Sequence, residues 1–533
     1  MHDIGEIPDD RITTEAVGVR PSPVSPPASV FLRRLAGLKS LQIALGFSLT
    51  LAVMAWIEFS GPAILDNDGY YHMRWASMLR QSAPRLPKFE QLPLTTLNER
   101  DYVDHHYLFH VLLVPFTYGD SRVGAKLAAA LFSATGITSL FALLVFYRVP
   151  YRWLWLAPLA LSSEPFLYRM SMTRAPALSL VLLGVGSYLI LKRKLAWLAV
   201  LSFAFVWTYS LFPLIVVFAA AHMVAVYLSE RRIDFGAVAA AASGVVVGLV
   251  INPYFPKNLI LFWQHLGMKL TAQYSVDVGV EWYPYETWAI LEGSALAFAI
   301  YLAALLAFNF RARARDPKPL FFLIVSLGLL LMAFKSRRFI EYWPPFAVLF
   351  GAFTLSPLLK RFNRAVFARP LDAAVTAVAS AVVVIATVVA MVMTLWQAGR
   401  NVKSEADPVA YKGASEWIAA NTPAGSMVFN TDWDDFPMLY YYNPNNAYVV
   451  GLDPTYLYDR DRQLWKLYER VTLGDENDPA PIIRDRFGAE YVFTDNYHTD
   501  FLGVAARSGD FETVYKDDYT TVLKIVGARG QGK

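Results

Sequence analysis

"LQIALGFSLTLAVMAWIEFSGPAILDNDGYYH", residues 41–72, sets the frame of this chain. The apolar part, placed at 40–59, matches the roughly 20 residues a helix needs to cross a bilayer core. Asp66 and Asp68 follow just beyond its end. Charge beside a membrane is costly unless water or chemistry uses it, so the acidic pair marks a candidate site at the end of a span.

Working outward, the whole chain reads as a polytopic α-helical membrane protein. It has 533 residues, 55% hydrophobic and only 17% charged, with mean hydropathy +0.34; soluble domains average about 25% charged. There is no cysteine, which excludes disulfides and Cys-ligated zinc. The Pro-rich segment 1–37 reads as a disordered cytoplasmic tail, with no signal peptide pattern. Further apolar segments lie at 123–147, 152–163, 175–191, 195–209, 211–228, 236–252, 287–309, 319–334, 340–358 and 371–396, giving about eleven spans.

The basic residues test this threading, because cytoplasmic loops are enriched in Lys and Arg. With the N-terminus inside, the inner segments carry Arg33, Arg34 and Lys39; Arg148 and Arg152; Lys192, Arg193 and Lys194; Arg231 and Arg232; Arg311, Arg313, Arg315 and Lys318; and Lys360, Arg361, Arg364 and Arg369. Every inner segment is basic. "HHYLFHVLLVPFTY", 105–118, is apolar but short and reads as an interfacial helix. A membrane module of 38–397 results, with large outer loops at 60–122 and 253–286 and a soluble extracytoplasmic α/β domain at 398–533. In that domain "GSMVFN", "AYVVGLD", "AEYVFTD" and "TTVLKIV" read as strands. "PVAYKGASEWIAANTP", "DRQLWKLYERVTLG" and "PAPIIRDRFG" read as helices, the last stopped by Gly488.

This topology collects Asp66, Asp68, Asp101, Asp104, Glu164, Asp277, Glu281 and Glu341 on the outer side. "NDGYYHMR" then resembles the first acidic motif of the GT-C membrane glycosyltransferases, in particular the catalytic subunit of oligosaccharyltransferase and its bacterial and archaeal relatives. The resemblance places the family's catalytic Asp on Asp68, with Asp66 as an extra acid. "KSRRFIEYWPPFAVLFGA", 335–352, is similar to the segment that opens a late span there, which implies that Arg338, flanked by Arg337 and Lys335, holds the donor phosphate. Guanidinium suits that task through paired hydrogen bonds. Glu281, in "DVGVEWYPYETW", falls where the family carries a functional Glu, although the letters differ.

In "DYVDHHYLFH" a carboxylate and imidazoles, Asp104 and His106 with Asp68, are candidate ligands for a divalent cation such as Mg or Mn. Trp433, Asp434 and Asp435 stand where the family has its WWDYG acceptor motif, with the Tyr-Gly replaced by Asp-Phe. The expectation is an inverting glycosyltransferase in a bacterial or archaeal plasma membrane. It would move a sugar from a polyprenyl phosphate or pyrophosphate donor to an extracytoplasmic glycan, lipid or protein acceptor. Alternatives are protein N-glycosylation and, from another class, a transporter or flippase. Spans nearly free of acids and lacking paired broken helices disfavour transport, and basic residues scattered over inner loops give nucleic-acid binding no support.

Overall fold

The computed structural model describes residues 38–264, 279–310, 316–366 and 370–526. The 1–37 tail, Asp277 and the basic residues Arg311, Arg313, Arg315 and Arg369 lie outside the described residues.

Each expected apolar segment is helical. Among the described residues, three helices are long and apolar enough to cross a membrane unaided: Lys39–Glu58, Ser121–Phe146 and Ala377–Lys403 within Pro370–Lys403. Thr287–Gly293 and Ala295–Ala307 meet at 82° and form a broken apolar pair. Pro176–Leu191, Leu195–Thr208, Leu214–Glu230, Gly236–Val250 and Pro317–Ala333 are apolar but shorter, Arg152–Leu161 is shorter still, and Trp343–Val366 carries Pro357 inside. The interfacial segment is one helical stretch, Tyr107–Leu113 followed by a 3-10 turn Val114–Thr117, with Val111 and Leu112 exposed.

Packing follows small residues and buried polar pairs. A Cβ at Gly244 would collide with the Ala199 carbonyl, so glycine is what lets Gly236–Val250 lie close against Leu195–Thr208. Thr50 Oγ1 and Thr138 Oγ1 bond at 3.0 Å between Lys39–Glu58 and Ser121–Phe146. Lys126 Nζ donates to the carbonyls of Glu58 (2.6 Å) and Gly61 (2.9 Å). It thereby satisfies carbonyls that the first helix leaves open at its C-terminus and fixes the exit of the chain toward Asp66.

Basic ends and acidic ends separate along the same helices. Pro176–Leu191 starts beside Arg174 and ends at Lys192–Lys194, about 24 Å away at 1.5 Å per residue. Pro317–Ala333 runs the other way, from Lys318 to the turn before Arg337 and Arg338. Lys192 and Lys318 both lie over the ring of Tyr147, at 5.2 and 5.3 Å. The basic loops therefore converge at one end of the bundle, and the acidic motif lies at the other.

The tail folds as an α/β unit on a five-stranded sheet: β1 Met427–Asn430, β2 Ala447–Tyr448, β3 Ala489–Asp495, β4 Phe511–Lys516 and β5 Thr520–Ile525, in the order β2-β1-β3-β5-β4. β2, β1 and β3 are parallel, and β5 runs antiparallel to both β3 and β4. The expected strand in "AYVVGLD" shrinks to two residues, because Asn430 Oδ1 accepts from the Val449 and Val450 amides in place of a ladder. β4 was not expected; its outward Glu512 and Thr513 dilute the apolar run. The unit is also less separate than its composition implies. Phe436, Tyr440 and Tyr448 share one buried cluster with Tyr71, Trp75, Phe89 and Tyr102 of the segment 60–122, and the Tyr448 amide donates to the Gln91 carbonyl at 2.8 Å.

Candidate active site

A cavity of about 560 Å³ opens where the acidic end of the bundle meets the tail. Asp66 turns the chain into it. Its backbone is left-handed, φ 72°, a region Asp tolerates better than most residues. The helix Asp68–Ser82 begins immediately after, so Asp68 lies in the first turn, where the helix N-terminus favours a carboxylate.

Arg174 reaches both acids. Its Nε lies 2.8 Å from Asp66 Oδ2, its Nη2 pairs with Asp68 Oδ2, and its Nη1 donates to Glu281 Oε2 at 2.9 Å. Arg169, on the helix Glu164–Met170, donates to Glu281 Oε2 at 3.2 Å and through Nε to Glu341 Oε1 at 2.8 Å. Arg338 completes the cage. Its Nε donates to Glu281 Oε1 at 2.9 Å, its Nη2 pairs with the same oxygen, and its guanidinium lies 4.2 Å from the centre of the Trp282 ring. Among the described residues, Arg338 Nη1 is buried with no hydrogen-bond partner.

A continuous chain of ion pairs, Asp68–Arg174–Glu281–Arg338, thus joins the two motifs that are far apart in sequence. Burial alone would raise the Glu281 carboxyl; the charges of Arg338, Arg174 and Arg169 overcome it and hold the group well below the usual carboxylate range. Asp66 goes the other way, because burial outweighs Arg174 and Arg169.

The other expected residues divide. Arg337 lines the cavity, with its guanidinium 5.0 Å from the Tyr285 ring centre. Lys335 is exposed and does not line it. Trp433 and Asp434 line the wall, and Asn67 Nδ2 donates to Asp434 Oδ2 at 3.3 Å. Asp435 is instead buried in the tail, accepting from Tyr411 Oη at 2.6 Å, so the acceptor triplet does not face the cavity as a unit.

The divalent site expected on Asp68, Asp104 and His106 is not assembled. Among the described residues no three His, Asp or Glu side chains group so as to hold a metal ion. Asp104 is occupied on both oxygens: it accepts from Trp75 Nε1 (2.8 Å), from the His106 amide (2.9 Å) and from His110 Nδ1 (2.8 Å). Asp68 already has the cation Arg174 against it. These residues do not fit Mg or Mn.

Sequence reasoning assigned no role to Arg169 and Arg174, which lie in "SSEPFLYRMSMTRAPALSL", residues 162–180. His72 and His110 were also missed. They form a buried chain, His72 Nδ1 to His110 Nε2 at 2.7 Å and on to Asp104, which packs the wall under Asp68–Ser82. His72 follows Asp68 by four residues, one helical turn, and that spacing was the available signal.

By sequence the chain matches no protein-family model and no curated protein. By structure it is similar to ArnT from Cupriavidus metallidurans bound to undecaprenyl phosphate, with TM-score 0.56, 15% identity, and coverage of 92% of this chain and 99% of that one. The apo state of the same protein aligns with TM-score 0.53 at 15% identity, covering 90% and 97%. The chain therefore shares the fold of ArnT over most of its length.

Proposed function

We propose that this chain is a membrane glycosyltransferase that moves a sugar from a polyprenyl phosphate or pyrophosphate donor to an acceptor on the extracytoplasmic side. The observation that carries this reading is the union of Asp68 and Arg338 on one cavity through Arg174 and Glu281. The fold shared with a protein that binds undecaprenyl phosphate supports the donor class. About eleven helices cross the membrane in this reading, and the convergence of Lys192 and Lys318 on Tyr147 supports a cytoplasmic face opposite the cavity.

In the reaction the acceptor nucleophile attacks the anomeric carbon while the bond from that carbon to the phosphate oxygen breaks, with inversion. The electron pair of that bond leaves on the polyprenyl phosphate, and the nucleophile's proton goes to a carboxylate. Arg338, with Arg337 beside it, is suited to the growing phosphate charge, since fixed guanidiniums need little rearrangement as charge develops. Asp66 and Asp68 are placed to receive the proton. Burial lifts Asp66, which suits it to take up a proton, while Arg174 fixes the orientation of Asp68. Arg169 and Arg174 supply positive charge in the place where a metal had been expected.

The test is release of undecaprenyl phosphate from a glycosylated undecaprenyl phosphate donor by the purified full-length protein. Asp68→Asn is expected to lower the rate by about 10²-fold or more, with a smaller loss of melting temperature than removal of Arg174 would cause, since Arg174 keeps Asp66 and Glu281. Full turnover by Asp68→Asn would falsify the reading and favour a transporter or an inert subunit. Trp433 and Asp434 on the cavity wall also support a protein acceptor; transfer to an Asn-X-Thr peptide, against transfer to lipid or glycan, separates the two.

A further inference from the structure

We infer that Glu281 is the resident anion of a three-arginine phosphate site and is exchanged for the phosphate of the incoming ligand. The inference rests on the reading of this cavity as a lipid-phosphate site and adds how the empty site is kept.

The cage around Glu281 has the chemistry of an anion receptor rather than of a structural ion pair. One carboxylate faces three guanidiniums, from Arg169, Arg174 and Arg338. Planar guanidiniums directed at one centre match phosphate oxygens as well as they match a carboxylate. Left empty, three buried cations side by side would repel one another strongly at the low dielectric of such a wall. A carboxylate from the protein itself removes that cost.

The anchoring is unequal. Arg169 lies on the Glu164–Met170 helix, is nearly buried, and has a second partner in fully buried Glu341. Arg338 follows Ser336, whose hydroxyl caps its amide, in the turn that leads to Tyr342 and Trp343, both fully buried. Glu281 sits instead on a single 3-10 turn, Val280–Trp282, none of whose residues is buried. Its backbone is tied to the bundle mainly by Ser336 Oγ donating to the Glu281 carbonyl at 2.8 Å, and by the Arg337 amide donating to the Tyr283 carbonyl at 2.9 Å. Arg169 and Arg338 are therefore held next to fully buried neighbours, and the anion rides on a turn with no buried residue.

The site also retains unused capacity. Arg338 Nη1 is a buried donor that Glu281 does not satisfy, although the Arg338 side chain is only 11% exposed. A carboxylate offers two oxygens, and a phosphate offers more. Gly279, Val280 and Glu281 form part of the cavity wall, so an anion entering the cavity meets the arginines from the side Glu281 covers.

The exchange is tested on the full-length protein in nanodiscs with undecaprenyl phosphate as probe. Glu281→Gln keeps the shape and removes the competing charge, and it is expected to bind undecaprenyl phosphate about tenfold tighter than wild type, equivalent to about 1.4 kcal/mol. In wild type, hydrogen exchange over 279–283 is expected to quicken when the lipid is added. Quickening with inorganic phosphate alone assigns the site to the free anion, and quickening only with the lipid assigns it to the headgroup; both support exchange. Binding by wild type with Glu281→Gln equal or weaker, or slower exchange over 279–283, overturns the exchange and leaves the phosphate reading standing. Absence of binding by both proteins overturns the two together. Should Glu281→Gln fail to fold, the wild-type exchange measurement decides alone.

Discussion

Arg174→Met is the most informative single perturbation of this site. The substitution keeps length and apolar volume but leaves Asp66, Asp68 and Glu281 without the cation that bridges them. The Arg174 side chain is 16% exposed, so little of the loss is recovered by water. Removing one partner of a buried ion pair costs about 3–5 kcal/mol. At about 2–4 °C per kcal/mol for mid-sized domains, and less for longer chains, the melting temperature should fall by roughly 5–10 °C near neutral pH. The loss should depend on pH with a definite sign. Arg174 lowers the pKa of both Asp66 and Glu281, so its removal raises both. A carboxyl whose folded pKa rises is most stable protonated and loses stability as pH climbs through that value. The gap between wild type and Arg174→Met should therefore be widest at neutral pH and narrow progressively in acid, as Asp66 and then Glu281, held low in wild type, take up protons. Arg174→Lys should recover only part of the loss, since one ammonium cannot address three carboxylates at once. Thermal unfolding followed by tryptophan fluorescence across this range is the assay. A gap that stays constant or widens in acid would refute the view that Arg174 acts as their counter-charge.

Two further outcomes test the surroundings. Trp75→Phe removes a donor from buried Asp104 and should cost about 3 kcal/mol, seen as a lower melting temperature that a second change, Asp104→Asn, partly restores. Where the tail meets the first acidic motif, burial and then the Asp66 charge push Glu405 up to about 7, and burial, Asp66 and Asp432 push Asp434 up to about 6. Folded-state protons held this tightly stabilise the junction below that range and cease to do so as pH rises through about 6–7, so hydrogen exchange over 400–407 and 432–436, corrected for its intrinsic pH dependence, should quicken from acid to alkaline buffer; slower exchange would contradict the assignment.

The sequence exposed most of the architecture, and for a physical reason. Apolar length and basic loop residues are local quantities, summed over one segment, so helices at Lys39–Glu58, Ser121–Phe146 and Pro370–Lys403 were readable without knowing what they touch. The docking of the tail was not readable, because Phe436, Tyr440 and Tyr448 look like ordinary core residues of a soluble domain. Their partners Tyr71, Trp75, Phe89 and Tyr102 look like an aromatic belt, and only the fold places the two sets together. The strand β4 was lost because exposed Glu512 and Thr513 leave too few apolar positions to show a period of two.

The site divides along the same line. Asp66, Asp68, Glu281 and Arg338 were legible as types of residue in suggestive places, and all four reach the cavity. Their relationship was not legible, since it runs through Arg169 and Arg174, whose segment 162–180 carries no motif that marks them as partners of distant acids. The substitution of role is physically coherent. A site with closely spaced carboxylates needs opposite charge to keep them ionised and near one another. A divalent ion and a pair of guanidiniums both meet that need, and they compete for the same carboxylate lone pairs, so oxygens already bonded to arginine are less open to an ion. Asp104 is occupied on both oxygens by Trp75, His106 and His110, Glu281 on both by arginine, and Asp68 on one by Arg174. The placement of Arg174 between Asp66, Asp68 and Glu281 is therefore the feature from which the charge balance of the whole cavity follows.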